Sequence, residues 1–156
     1  MPLSEEQQTC LEAAQGFLDL GMFLDADAEL ERIDPFCRHL PEILELRVQI
    51  YSALKKWELV QVVAKKLADY EREEPKWIAI WADALRQTGA IESAKTVLLD
   101  AVEHHPNYPL LHYRLACYEC LLGEIEVAKA RLKYAVKLDP SLRMLALEEK
   151  DLEEIW

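Results

Sequence analysis

Two cysteines and three histidines are the residues whose types and spacing are best suited to chemistry. Cys117 and Cys120 form a C-x-x-C motif, and His104, His105 and His112 precede it. A redox role needs a thiol of low pKa at a helix N-terminus, whereas the apolar pattern places both cysteines in mid-helix. A zinc site needs a second pair of ligands, and the chain has no second C-x-x-C. We therefore expect no metal site and no cofactor, and interpret both thiols as small apolar side chains.

Motifs typical of catalytic sites are missing from the sequence. Its four glycines, at positions 16, 21, 89 and 123, form neither a phosphate-binding loop nor a dinucleotide fingerprint. The serines lie in no nucleophile elbow, and nothing in the pattern indicates a desolvated pair of carboxylates. The sequence therefore predicts that the protein is not an enzyme and has no catalytic residues.

Composition and charge exclude several classes of partner. The 156 residues include 18 Lys plus Arg and 29 Asp plus Glu, which gives a formal net charge of -11. Nucleic acids and anionic membranes bind basic surfaces, so neither is an expected partner. The sequence contains no apolar run of about 18 residues and begins with an acidic segment that does not resemble a secretion signal. We therefore expect a cytoplasmic protein with reduced thiols.

The chain repeats itself at an interval of 34 residues. Small or special residues recur at this interval in the C-terminal half: Ala82 with Ala116, Gly89 with Gly123, Ala94 with Ala128, Leu98 with Leu132, Ala101 with Ala135, and Pro106 with Pro140. The pattern weakens toward the N-terminus but continues. The repeats therefore cover residues 7–40, 41–74, 75–108 and 109–142, and leave a tail at 143–156.

Each repeat is predicted to form two antiparallel helices. In the third repeat, apolar residues within 77–85 and again within 91–102 follow the i, i+3, i+4 spacing of a helix. Gly89 lies between the two segments, where glycine readily ends a helix. Alanines on the facing sides allow two helix axes to approach to about 8–10 Å. In the second repeat Lys55 takes the place of the turn glycine, so this junction departs from the pattern.

With this period and helix–turn–helix pattern, the chain resembles a tetratricopeptide repeat (TPR) protein. The resemblance covers nearly the whole chain and is strongest in the third and fourth repeats. It implies an all-α fold: a right-handed α-solenoid of four TPR helix–turn–helix repeats plus a C-terminal capping helix, in a single domain over residues 1–156. It also implies a non-enzymatic protein–protein interaction module.

In this family the first helix of each repeat lines a concave groove that binds an extended peptide or a helix of another protein. The matching positions imply a partner-binding groove formed by Glu12, Gln15, Asp19, Glu45, Gln49, Lys76, Ile80, Asp83, Arg86, Tyr113, Arg114 and Cys117. The groove is acidic and rich in amides toward its N-terminal end. Tyr113 and Arg114 belong to residue types that are enriched at binding hot spots.

Three alternatives remain open at this stage. The size and acidity of the chain are also similar to those of type III secretion chaperones, which are small chaperones for secreted clients. The negative charge is concentrated in residues 1–40, with nine acidic and two basic residues, and in 148–156, with five and one. These ends either are solvated caps or bind a basic partner segment. The tail either folds back on its own chain or docks on a second copy to form a homodimer.

Overall fold

The structure is a computed structural model that describes residues 2–156, and the regular elements in this range are all helical. The helices form pairs in chain order: α1 (Glu5–Asp19) with α2 (Phe23–Glu31), α3 (Pro41–Ala53) with α4 (Trp57–Tyr70), α5 (Lys76–Gln87) with α6 (Ile91–His104), and α7 (Pro109–Leu121) with α8 (Ile125–Leu138). A short 3₁₀ helix (Pro35–Cys37) precedes α3, and α9 (Leu142–Glu148) and the C-terminal 3₁₀ helix (Lys150–Ile155) follow α8. One pair falls in each predicted repeat, and the all-α fold is confirmed.

The chain divides into two compact units. The first unit ends at Glu71 and holds the helices α1 to α4, and the second runs from Arg72 to Trp156. In the first unit, Arg47 of α3 is buried and its guanidinium donates to Glu31 at 2.8 Å and to the Tyr51 hydroxyl at 2.5 Å. The hydrogen bond from Arg47 lowers the pKa of Glu31. Glu31 is the last residue of α2, so this pair ties α2 to α3.

Alanines lie where the helices of a pair approach each other. Ala14 and Ala26 in the first unit, and Ala82, Ala94 and Ala101 in the second, are all almost completely buried. Side chains this small allow helix axes to come close together. The predicted role of these positions is confirmed.

Left-handed turns separate the two helices of each pair. Gly21, Gly89 and Gly123 have φ angles of +74°, +86° and +82°. Lys55 occupies the same turn of the second pair with φ 57°, a conformation that residues with a Cβ adopt only at a cost. The second pair therefore forms the same left-handed turn with lysine in place of glycine.

The helix α7 is buried on almost all of its sides. Nine of its 13 residues are buried, and α6, α8 and the C-terminal 3₁₀ helix pack against it. Among these residues is Glu119, whose two carboxylate oxygens share a bifurcated hydrogen bond from Arg131 Nε of α8, each at 2.9 Å. A helix without a polar face has to be covered all round, so α7 defines the core of the second unit.

Within residues 2–156, no helix is both long enough and apolar enough to cross a membrane.

The turn at Lys55 gives a direct prediction. Lys55→Gly is expected to raise the free energy of unfolding by about 0.5–1 kcal/mol, because glycine adopts positive φ without strain. Gly21→Ala, the matched change in the first pair, is expected to lower it by about 1 kcal/mol. A Cβ on Gly21 would meet nothing within 4 Å, so only the backbone contributes. Urea titrations followed by circular dichroism measure both values, and destabilisation by Lys55→Gly would contradict this account.

Candidate partner-binding surfaces

A shallow groove of about 240 Å³ lies on the first unit, between α1 and α3. Its walls are formed by Leu11, Gln15, Glu42, Glu45, Leu46 and Gln49. The structure thus brings together three of the residues predicted for the groove: Gln15, Glu45 and Gln49. Gln15 and Gln49 are exposed and Leu11 is partly exposed, whereas Leu46 is buried.

Hydrogen-bond acceptors dominate the surface around this groove. The amide of Gln15 donates to Asp19 at 2.8 Å, and the amide of Gln8 donates to Glu12 at 3.2 Å. These bonds use amide donors and leave carboxylate and amide oxygens to face solvent. The remaining two predicted residues of this unit, Glu12 and Asp19, therefore lie beside the groove on the same helix as Gln15.

The arginines of the first unit form ion pairs outside the groove lining. Arg32 pairs with Glu29 at 2.9 Å, and Arg38 and Arg47 pair with Glu31 at 2.9 and 2.8 Å. Both carboxylates belong to α2. The groove lining itself contains two carboxylates, those of Glu42 and Glu45, and no basic residue.

A second cluster of predicted residues lies on the second unit. The Tyr118 hydroxyl donates to Asp83 Oδ1 at 2.5 Å, and Arg114 Nη2 lies 3.3 Å from Asp83 Oδ2. Burial raises the pKa of Asp83, and Arg114 and Tyr118 oppose this shift only in part. Arg86 also belongs to this cluster and forms an ion pair with Asp151 of the C-terminal 3₁₀ helix.

The C-terminal 3₁₀ helix covers this cluster. Leu152 is completely buried in the same apolar core as Tyr113 and Cys117, which are themselves 1% and 2% exposed. Burial raises the pKa of both the Tyr113 hydroxyl and the Cys117 thiol. The tail therefore folds back on its own chain, and two residues predicted to line the groove, Tyr113 and Cys117, lie beneath it.

Two further predicted residues have separate surroundings. Lys76 is exposed at the start of α5, where its ammonium group lies 3.7 Å from Glu74 and 4.5 Å from the centre of the Trp77 ring. Ile80 is partly buried on the same helix.

Sequence reasoning missed Asp151 and Leu152 as part of this surface. The sequence does contain a signal, because residues 110–121 show no polar stripe and so require cover on every side. The tail supplies apolar residues for that cover.

The cysteine and histidine motif has no arrangement suited to redox chemistry. The four cysteines are free and buried, and burial raises the pKa of Cys117 and Cys120, which disfavours the reactive thiolate. His112 is hydrogen-bonded through Nε2 to the carbonyl oxygen of Pro106 at 2.7 Å. Within the described range 2–156, no three His, Cys, Asp or Glu side chains are grouped as metal ligands.

Helix pairs with alanine contacts and left-handed turns, repeated at an interval of 34 residues, define the tetratricopeptide repeat fold. Comparison with solved structures confirms this fold. The structure of MamA MSR-1 C2 has a TM-score of 0.75 at 19% identity, over 86% of this chain and 78% of that one. TTC0263, a thermophilic TPR protein in Thermus thermophilus, has a TM-score of 0.68 at 24% identity, over 96% and 80%.

A mutant of MamA gives a similar result, with a TM-score of 0.71 at 20% identity over 85% of this chain and 77% of that one. Identities this low establish a common fold and nothing more specific. No protein-family model matches the chain, and no curated protein matches it.

Two buried tyrosines of α7 allow a matched prediction about the second unit. The Tyr113 hydroxyl is buried and has no hydrogen-bond partner among the described residues, whereas Tyr118 donates to Asp83. Tyr113→Phe is therefore expected to leave the free energy of unfolding unchanged or to raise it by up to about 1 kcal/mol. Tyr118→Phe is expected to lower it by about 1–3 kcal/mol.

Urea unfolding of both variants beside the wild type measures these differences. Equal destabilisation by the two substitutions would contradict the expected difference, because it would show that the Tyr113 hydroxyl also forms a stabilising hydrogen bond.

Proposed function

We propose that this protein is a non-enzymatic protein–protein interaction module that binds an extended, basic segment of a partner in the groove between α1 and α3. The observation that carries the proposal is the groove itself. It combines acidic and amide side chains with apolar side chains at one open site of the first unit.

Each part of the groove has a role in such binding. Glu42 and Glu45 attract lysine and arginine side chains, with which carboxylates form strong, charge-assisted hydrogen bonds. Gln15 and Gln49 each carry a donor and an acceptor and so can bond to the peptide groups of an extended chain. Leu11, which is partly exposed, provides an apolar contact for one side chain of the partner, and the buried Leu46 lies at the base of the groove.

We further propose that the two units form one TPR domain and that the protein is cytoplasmic. The fold shared with other TPR structures supports the first statement, and the four free cysteines support the second.

Defined peptides test this function. Fluorescent nine-residue peptides with alternating lysines around one central leucine are compared, by fluorescence anisotropy, with peptides in which glutamate replaces lysine. The basic peptides are expected to bind, and raising the salt concentration is expected to weaken binding, because salt screens exposed charges. The glutamate peptides are expected not to bind in this groove.

A matched pair of charge reversals locates the site. Glu42→Lys is expected to weaken binding of the basic peptide by about tenfold, because it replaces an attraction in the groove with a repulsion. Glu58→Lys makes the same change in net charge on α4, outside the groove lining, and is expected to have little effect. An equal loss in both variants would contradict a specific site and indicate attraction to net charge alone.

A further inference from the structure

The C-terminal 3₁₀ helix packs mainly against α7, with further contacts to α8 and an ion pair to Arg86 of α5. Leu152 is completely buried, Ile155 is partly buried against the same core, and Asp151 pairs with Arg86. Trp156, the last residue, is 63% exposed. The anchor of this segment is therefore one leucine, supported by one ion pair and one further aliphatic side chain.

The surface beneath this segment contains hydrogen-bond donors that the segment does not satisfy. Tyr113 Oη, Arg86 Nε and Arg114 Nε are buried, and within residues 2–156 none of the three atoms has a hydrogen-bond partner. Each of these atoms can donate a hydrogen bond. Buried donors of this kind are normally paired, so this surface matches its present cover only in part.

These donors lie within the electrostatic field of the acidic tail. Glu149 interacts with Tyr113 and Arg114, and Asp151 interacts with Tyr113 as well as with Arg86. Residues 148–156 include five acidic residues and one basic residue. An acidic segment thus covers a surface of hydrogen-bond donors and guanidinium groups. Further acceptors in a bound segment would pair with the donors that the tail leaves without a partner.

The segment also has a conformation that it can readily leave. It forms a 3₁₀ helix of six residues, although hydrogen-bond geometry in such helices is poor and runs longer than about four residues are uncommon. Half of its six side chains are exposed, those of Lys150, Glu153 and Glu154, and so is Trp156 directly after it. Releasing it leaves α7 open on one side.

We propose that the C-terminal 3₁₀ helix is a displaceable occupant of a second binding surface, on α7, and that this surface takes an acidic partner segment. The segment would resemble the tail: a carboxylate for Arg86, a leucine next to it and a second aliphatic residue three positions further on. It would also supply an acceptor for the free Nε of Arg114. This inference rests on the proposed function as an interaction module, but it concerns a different surface with the opposite charge preference.

The short connection between the tail and its own surface sets how tightly a partner has to bind in order to displace the tail. A segment joined to its own surface by a short connection competes at an effective concentration of about 1 mM. A partner therefore has to gain affinity from contacts that the tail lacks, and the unpaired donors provide them. In the full chain the acidic segment is expected to bind weakly until the tail is released.

Cysteine reactivity measures the release. Cys120 lies close to the tail, where burial raises the pKa of its thiol and the backbone of Glu154 opposes that shift, and Cys117 lies in the same core as Leu152. Cys10 and Cys37 are buried in the first unit and act as internal references. N-ethylmaleimide labelling, resolved by peptide mass spectrometry, reports the four sites separately.

The test uses the full chain. Asp151→Arg places a cation against Arg86, and Leu152→Ser removes the apolar anchor. Each is expected to raise labelling of Cys117 and Cys120 by about tenfold or more and to leave Cys10 and Cys37 unchanged. Arg86→Asp combined with Asp151→Arg restores the ion pair in reverse and is expected to restore protection. Unchanged labelling, or a parallel rise at all four cysteines, would overturn the proposal.

A peptide added in trans tests the partner class. A fluorescent peptide with the sequence of residues 148–156 is expected to bind the Leu152→Ser variant about tenfold more tightly than the wild-type chain, whose own tail competes with it. The same peptide with Asn in place of Asp151 and Ala in place of Leu152 is the matched control and is expected not to bind. Equal binding of both peptides, or none to a variant with reactive Cys117, would overturn the inference.

Binding of the basic peptide is measured on the same protein samples as binding of the acidic peptide. The two results together separate the proposed groove on the first unit from the proposed surface on α7. Binding of the basic peptide without binding of the acidic one overturns only the second surface. Binding of the acidic peptide alone supports the second surface and overturns the groove on the first unit.

Discussion

The arrangement of the second unit depends on one constraint: α7 is buried on almost all of its sides and has to be covered. In a repeat fold each helix pair buries its apolar face against its neighbours, and the last pair needs a cap. Here α6 and α8 cover two sides of α7, and the C-terminal 3₁₀ helix covers another. The position of the tail, the burial of Tyr113 and the ion pair of Arg86 all follow from that requirement.

The two units differ in the chemistry that they offer to a partner. The groove of the first unit is open and is lined by acidic and amide side chains and two leucines, with no basic residue. The corresponding surface of the second unit carries Arg86 and Arg114 and is covered by an acidic segment. The charge of the tail therefore suits the second surface and not the first, and a single chain can discriminate between partner segments of opposite charge.

The sequence predicts the features that depend on short-range spacing. Alanines and turn glycines at a constant interval identify the helix pairs, and the Ser4-x-x-Gln7 spacing, typical of a capping box, marks the start of α1, where the structure has one. Lys55 departs from that pattern, yet the turn forms, because the packing of α3 and α4 fixes a conformation that lysine alone disfavours. Local strain of this kind is invisible in a sequence pattern.

The surface of the second unit could be predicted only in part. The family pattern places Tyr113 and Cys117 on the groove side of α7, and the structure puts them under residues more than thirty positions further along the chain. Whether a groove position is open depends on such long-range contacts, which a repeat pattern does not contain. The absence of a polar stripe on α7 is the one sequence feature that indicates an additional cover.

The most direct test of this account is a double-mutant cycle between Arg86 and Asp151, measured as free energies of unfolding of the wild type, Arg86→Ala, Asp151→Ala and the double variant. We expect the two residues to be coupled by about 1 kcal/mol, since both side chains are partly buried and form one ion pair. Additive effects of the two substitutions would contradict this structure of the tail, because they would show that the ion pair between the tail and α5 does not form in solution.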